Sequence, residues 1–250
     1  MTSRLSLIAA MAVVSAVSAQ RPQPRIIDLG HPIQSSDPSW DPKPTYRRDT
    51  TAIMAKDGYA SGRITIDEHF GTHVDAPSHF APNGWTVDRI PVDRLHRPGV
   101  RLDISSKARA NADYELLMSD IRAFESRSGR IPEGSIVLVA TGWDRFWPDR
   151  GTYMNEKGGV KHFPGLTPEA ARYLAVDRRV AAIGIDTPSI DHGPSKDFKA
   201  HHASMGLNVY HIENARGLTK LPPTGFDVIV APTNIVGGSG GPARIFAILR

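Results

Sequence analysis

The chain has 250 residues, 40 % hydrophobic and 22 % charged, enough for a sizeable core and unlike a disordered protein. Its net charge of +4 comes without any Lys/Arg run longer than two residues, which argues against the clustered basic face of a nucleic-acid binder. Cysteine is absent, so disulfides, thiolate metal ligands and a cysteine nucleophile are excluded.

The N-terminus reads as an export signal. Arg4 supplies positive charge, residues 5–17 are apolar and small, and Val17-Ser-Ala19 puts small residues ahead of a cleavage site at Gln20. The apolar stretch is shorter than the about 20 residues that span a bilayer. Residues 1–19 are therefore expected to be a signal peptide. Residues 20–250 would then be a mature domain in the periplasm or the medium, free of the membrane.

A first strand is expected at 26–29, stopped by Gly30 and Pro32. Residues 35–49, rich in Pro, Ser and Asp and containing Trp40, read as a long loop. Residues 61–68 alternate, with Ile64 and Ile66 on one face, and predict a strand leading into the next segment.

That segment, 69–79, reads His-Phe-Gly-Thr-His-Val-Asp-Ala-Pro-Ser-His. Imidazole and carboxylate are ligand types for Zn²⁺ or Mn²⁺. Gly71, Thr72, Val74 and Pro77 argue against a helix. On an irregular strand His73 and Asp75, two apart, project to the same side, and Gly71 lets the backbone bend so that His69 joins them. Three protein ligands leave a coordination position open to water, as in a catalytic site. A single Zn²⁺ can lower the pKa of bound water from 15.7 to about 7. His79, four past Asp75, is the natural proton shuttle, with general acid–base help of roughly 10²–10⁴ in rate.

Further along, a helix is predicted over 114–128, capped by Asp113 and ended by Gly129. A buried strand follows at 136–140. Thr167-Pro168 starts a second helix running to Val176. Strands are predicted at 180–185, 226–231 and 245–249. No linker divides the mature chain, so one α/β domain is expected.

A second histidine cluster, His201, His202 and His211 with Glu213, falls after a loop at 186–197. Together the windows 69–79 and 201–211 hold six of the ten histidines. Asp75 and Glu213 are suited to bridging two metals about 3.5–4 Å apart. Adjacent His201 and His202 diverge on a strand or a helix, so at most one is expected to bind. His211 is as suited to packing as to the site. Gly238-Ser-Gly-Gly-Pro-Ala243 matches a loose dinucleotide pattern, but only seven residues follow it and no βαβ unit surrounds it. It reads as a structural turn or a pocket rim.

The pattern His69-x-Gly-Thr-His73-x-Asp75-x-Pro77-x-His79 resembles the signature of the cyclase-type metal hydrolases, which include bacterial kynurenine formamidases and isatin hydrolases. Thr141-Gly142-Trp143, Gly184-Ile-Asp186, Ser189-Ile-Asp191 and the His201…Glu213 spacing extend the likeness. The resemblance implies a swivelling β/β/α single domain with a mixed sheet and few helices, and a homodimer or higher oligomer. It implies that His69, His73 and Asp75 bind one metal, and that His201 and Glu213 complete a second site with Asp75 and Glu213 shared. The metal would be zinc or manganese, as one or two ions. His79 would be the catalytic acid/base, and Trp40 would face the substrate ring. The implied reaction is hydrolysis of an amide C–N bond in an aryl formamide or cyclic amide, of N-formylkynurenine or isatin type. An aryl pocket would pair Trp40 with Phe70 or Trp143, the latter equally suited to the core. Two alternatives stay open at this point: a lactonase or esterase on the same site, and a non-enzymatic exported metal- or ligand-binding protein.

Overall fold

A computed structural model describes residues 24–43 and 46–249. The expected signal peptide lies outside the described residues. The described residues form twelve strands and six short helices. The strands are β1 (Arg25–Asp28), β2 (Arg47–Ala52), β3 (Ser61–Thr65), β4 (His73–Asp75), β5 (His96–Asp103), β6 (Glu115–Leu116), β7 (Ile136–Ala140), β8 (Gly165–Leu166), β9 (Ala182–Ile185), β10 (Tyr210–Glu213), β11 (Phe226–Pro232) and β12 (Gly240–Leu249). The helices are α1 (Met54–Asp57), α2 (Ser105–Ala110), α3 (Met118–Ser128), α4 (Arg150–Met154), α5 (Pro168–Val176) and α6 (Lys199–Met205). No helix among the described residues is long and apolar enough to cross a membrane.

Seven strands form a ring in the order β12-β11-β5-β7-β9-β10-β4, and β4 closes it by pairing back to β12. β1 adds antiparallel to the far half of β12. The run β5-β7-β9-β10 is parallel, and the other pairings are antiparallel. The result is a mixed α/β domain with few helices, as the sequence predicted.

Strand alternation divides the core. On β7, Ile136, Leu138 and Ala140 join Val74, Ile212, Val228, Ile245 and Ala247 inside the ring. Val137 and Val139 face outward and pack under α3, α5 and α6 through Ile121, Phe124, Ala171, Leu174 and Ala200. β7 is buried on both faces, which explains its unbroken Ile-Val-Leu-Val-Ala run.

α5 starts where the sequence placed it, with Thr167 Oγ1 accepting the Ala170 N–H at 3.2 Å and Pro168 in the first turn. Three local expectations are corrected. The helix predicted from Tyr114 begins only at Met118. Glu115 and Leu116 pair instead with β8, which buries Leu116. Asp120, not Asp113, closes the helix start by accepting the Leu117 N–H at 3.0 Å, while Asp113 pairs with His162 at 2.8 Å. Within the stretch read as a loop, residues 47–49 belong to β2. That strand pairs with β3 as an exposed antiparallel ribbon, and β3 ends at Thr65 rather than running into the histidine motif. Ile64 is solvent-exposed there, although Ala52 at the end of β2 is buried.

Candidate metal centre

β4 and β10 pair antiparallel with His211 opposite Asp75, Ile212 opposite Val74 and Glu213 opposite His73. Opposed residues of such a pair project to the same face. Val74 and Ile212 therefore fill the ring interior, while His73, Asp75, His211 and Glu213 all project from its outer wall. All four are buried. α6 lies over this wall and adds His201, also buried, while its neighbour His202 is exposed. A helical step of 100° between the two accounts for the difference. His69 reaches the group across Gly71, whose φ of 65° suits glycine.

The donors sit close together. His69 Nδ1 meets Asp75 Oδ1 at 2.6 Å and His73 Nε2 meets it at 3.1 Å. His201 Nε2 is 3.4 Å from Asp75 Oδ2 and 3.2 Å from Glu213 Oε1. Glu213 Oε2 is 3.6 Å from His73 Nε2. Among the described residues two overlapping sets emerge, His69–His73–Asp75 and Asp75–His201–His211, with the donor atoms of each set within 4.8 Å of one another.

Each imidazole has one nitrogen engaged by a partner outside the cluster. His73 Nδ1 donates to the Gly71 carbonyl at 2.9 Å. His201 Nδ1 donates to Asp191 at 2.6 Å. His69 Nε2 is 3.0 Å from Ser239 Oγ, which itself donates to Glu68 and must therefore accept from the ring. These outer contacts leave His73 Nε2, His201 Nε2 and His69 Nδ1 facing the carboxylates, as metal-binding histidines require.

The charges point the same way. Burial alone would raise the Asp75 pKa, but His73, His201 and His69 hold it well below the usual carboxylate range. Burial opposes a charged His73, yet Asp75 and Glu213 push it up to about 9. His201 is likewise raised by Asp191, Asp75 and Glu213 against its burial. Burial, then the Asp75 charge, raise Glu213. The cluster favours positive charge, and a divalent metal would displace the imidazole protons on binding. Three imidazoles and two carboxylates fit zinc or manganese by donor chemistry.

His79 sits at the end of the 3-10 turn Pro77–His79. Its ring stacks on His69 at 4.0 Å, and no hydrogen bond to the described residues engages it. Burial, together with the neighbouring imidazoles, holds it down to about 4. The cluster opens on a cavity of about 410 Å³ walled by Trp40, Phe80, Met154, Phe198 and Pro188.

The family model named Cyclase matches residues 27–192. The chain belongs to the cyclase family. It is 32 % identical over 200 residues to an isatin hydrolase of Roseibium aggregatum, covering 76 % of this chain and 75 % of that protein. It is 29 % identical over 194 residues to a kynurenine formamidase of Salinibacter ruber, covering 76 % and 79 %. The solved structure of isatin hydrolase A from Labrenzia aggregata bound to benzyl benzoate superposes with a TM-score of 0.83 at 34 % identity, covering 90 % of this chain and 94 % of that one.

Within this cyclase-family chain, His69, His73, Asp75, His201 and Glu213 meet in one cluster, with His79 and Trp40 on the same cavity. The aryl wall differs from expectation. Phe70 is buried and stacks on Tyr46 at 5.9 Å. Trp143 is also buried, donating through Nε1 to the Tyr153 carbonyl. Phe80 and Phe198 take their place. Phe80 follows His79 directly, and Phe198 leads α6 in the left-handed region at φ 48°. Sequence reasoning also missed Ser239, Glu68 and Asp191, which orient the histidines. Ser239 lay in the glycine-rich segment read as a turn or rim, and Asp191 in the quoted Ser-Ile-Asp stretch. His31 stacks on Trp147, and His162 and His192 pair with Asp113 and Glu115, all away from the cavity.

Proposed function

We propose that this chain is a metal-dependent hydrolase of an amide C–N bond, acting on an aryl formamide or a cyclic aryl amide of N-formylkynurenine or isatin type. One observation carries the reading. A buried His/Asp/Glu cluster opens on an aromatic-walled cavity where the His79 imidazole makes no hydrogen bond to the described residues. The activities named for the relatives agree with it.

His69, His73 and Asp75 would hold one metal, and Asp75, His201 and Glu213 would hold a second. A divalent metal supplies Lewis acidity at the amide carbonyl and lowers the pKa of water. The protein's part is placement and proton transfer. Trp40, Phe80 and Phe198 would bind the aryl group, with the amide turned toward the carboxylates. His79, neutral and free of hydrogen bonds to the described residues, would take a proton from the attacking water and return it to the leaving nitrogen. The proposal includes zinc or manganese as the metal, a homo-oligomeric assembly, and export through cleavage of residues 1–19. N-terminal sequencing of the mature protein checks the cleavage.

The deciding experiment is metal analysis of the purified protein coupled to hydrolysis assays on N-formylkynurenine and isatin, before and after chelation. Bound metal with chelator-sensitive turnover is the expected result, and the preferred substrate selects between the two amide types. Absence of metal even after reconstitution with zinc and manganese would overturn the reading.

A further inference from the structure

His211 is the one histidine of the buried wall that the proposed ligand sets do not use. It lies directly opposite Asp75 in the β4–β10 ladder and is completely buried. A nitrogen of its ring, an Asp75 oxygen and a His201 nitrogen lie within 4.8 Å of one another. The His201 and His211 ring centroids are 4.8 Å apart.

Its hydrogen bonding repeats the pattern of the other three. Nε2 is 2.8 Å from Ser204 Oγ. That hydroxyl spends its single proton on the Ala200 carbonyl at 3.0 Å, so it accepts from His211 Nε2–H. The tautomer assigned by this network leaves a lone pair on Nδ1. Nδ1 is buried and has no hydrogen-bond partner among the described residues. A buried unsatisfied polar atom costs about 1–3 kcal/mol; His31 Nε2 is another such atom among the described residues, but it belongs to neither donor set, whereas His211 does. A cation beside Asp75 and His201 would satisfy this one.

We infer that His211 is a direct ligand of the second metal, binding through Nδ1 alongside Asp75, His201 and Glu213. The Ser204 hydroxyl serves it as Asp191 serves His201 and Ser239 serves His69, by fixing the tautomer from behind. The second site is then closed by more protein donors than the first, which leaves the His69 set as the more open of the two. The inference rests on the two-metal reading above.

The test uses the full mature chain, stripped by chelation and titrated with Zn²⁺ against a chromophoric chelator. The wild type should take two equivalents. His211→Gln can still donate to Ser204 but lacks the Nδ1 lone pair. It should keep the first equivalent and lose affinity for the second by at least about 10-fold, the lower end of what disturbing even an outer partner costs. Wild-type affinity for both equivalents in His211→Gln would overturn the inference. An anomalous-scattering crystal structure of the zinc-loaded wild type gives an answer that does not depend on the variant folding. His211 Nδ1 should lie about 2.0–2.1 Å from the second ion, and a separation beyond about 3 Å would refute ligation. A wild type that binds one equivalent at the His69 set, with hydrolysis intact, would also refute it while leaving the hydrolase reading standing. Failure to bind zinc at all would sink both.

Discussion

The Asp191 carboxylate accepts the His201 Nδ1–H at 2.6 Å and the backbone N–H groups of Ala200 and His201 at 2.9 and 3.2 Å. One side chain thus fixes both the first turn of α6 and the tautomer of the histidine that α6 delivers to the carboxylates. Ring placement and helix placement are coupled through a residue that hydrogen-bonds to no other donor of the cluster.

Asp191→Ala should therefore weaken metal binding at the His201 set by about 10–100-fold and lower stability by about 1 kcal/mol through the lost cap. Chelator competition and thermal melting of the apo-protein measure the two effects separately. Unchanged metal affinity would mean that packing of α6 alone orients the ring.

His79→Ala should reduce kcat by about 10²–10⁴ with metal content unchanged, because the side chain is free of hydrogen bonds to the donor set. Parallel metal analysis and turnover measurements check this. Loss of metal together with activity would instead place His79 among the ligands.

Trp40→Ala and Phe198→Ala should each raise KM for an aryl amide by about 3–10-fold, the worth of one aromatic contact. A small aliphatic formamide should show little change. Steady-state kinetics with both substrate types separates aryl binding from general damage, which would lower turnover of each alike.

Gly240→Ala would bring a Cβ to 2.6 Å from both His69 Cε1 and the Val74 carbonyl oxygen. The ring closes at this point, since Gly240 pairs with Asp75. Overpacking here should cost about 1–3 kcal/mol and displace His69, reducing metal affinity as well. Denaturant unfolding with and without zinc reports both.

Away from the site, Arg178 grips Glu125 through two contacts, at 2.5 and 2.7 Å, between largely buried side chains. The Arg178 hydrogen bond leads in holding Glu125 down to about 2, from an ordinary 4.5. A depressed carboxylate pKa stabilises the fold fully above the unfolded value and loses that contribution as pH falls through the folded one. Glu125→Gln should cost about 1–3 kcal/mol near neutral pH, and the gap to wild type should narrow between pH 4.5 and 2. Melting curves across that range check it, and a gap independent of pH would assign the effect to packing.

Much of the candidate site was legible because several of its donors are close in sequence. His69, His73 and Asp75 fall within a single short segment, and Gly71 and Pro77 mark it as irregular backbone. The β7 run and the Thr167-Pro168 start of α5 were equally plain, since burial on both faces and helix capping are local demands on residue type. The start of α3 was not, because pairing of Leu116 with Leu166 outweighed the helical pattern.

What the sequence by itself determined was the inventory: a donor set of imidazoles and carboxylates without thiols, a free histidine beside it, and an α/β chain with a core large enough to bury them. The tertiary structure alone decided which residues face one another. Closure of the ring set Asp75 opposite His211 and Glu213 opposite His73. The phase of α6 turned His201 inward and His202 out. Ser239, Asp191 and Ser204 became the outer partners of three rings, and Phe80 and Phe198, rather than Phe70 and Trp143, became the aryl wall. The reason is physical. Residue type limits what a side chain can bind, but its partner is set by strand register and helix phase, which the fold settles by burying both faces of the wall at once.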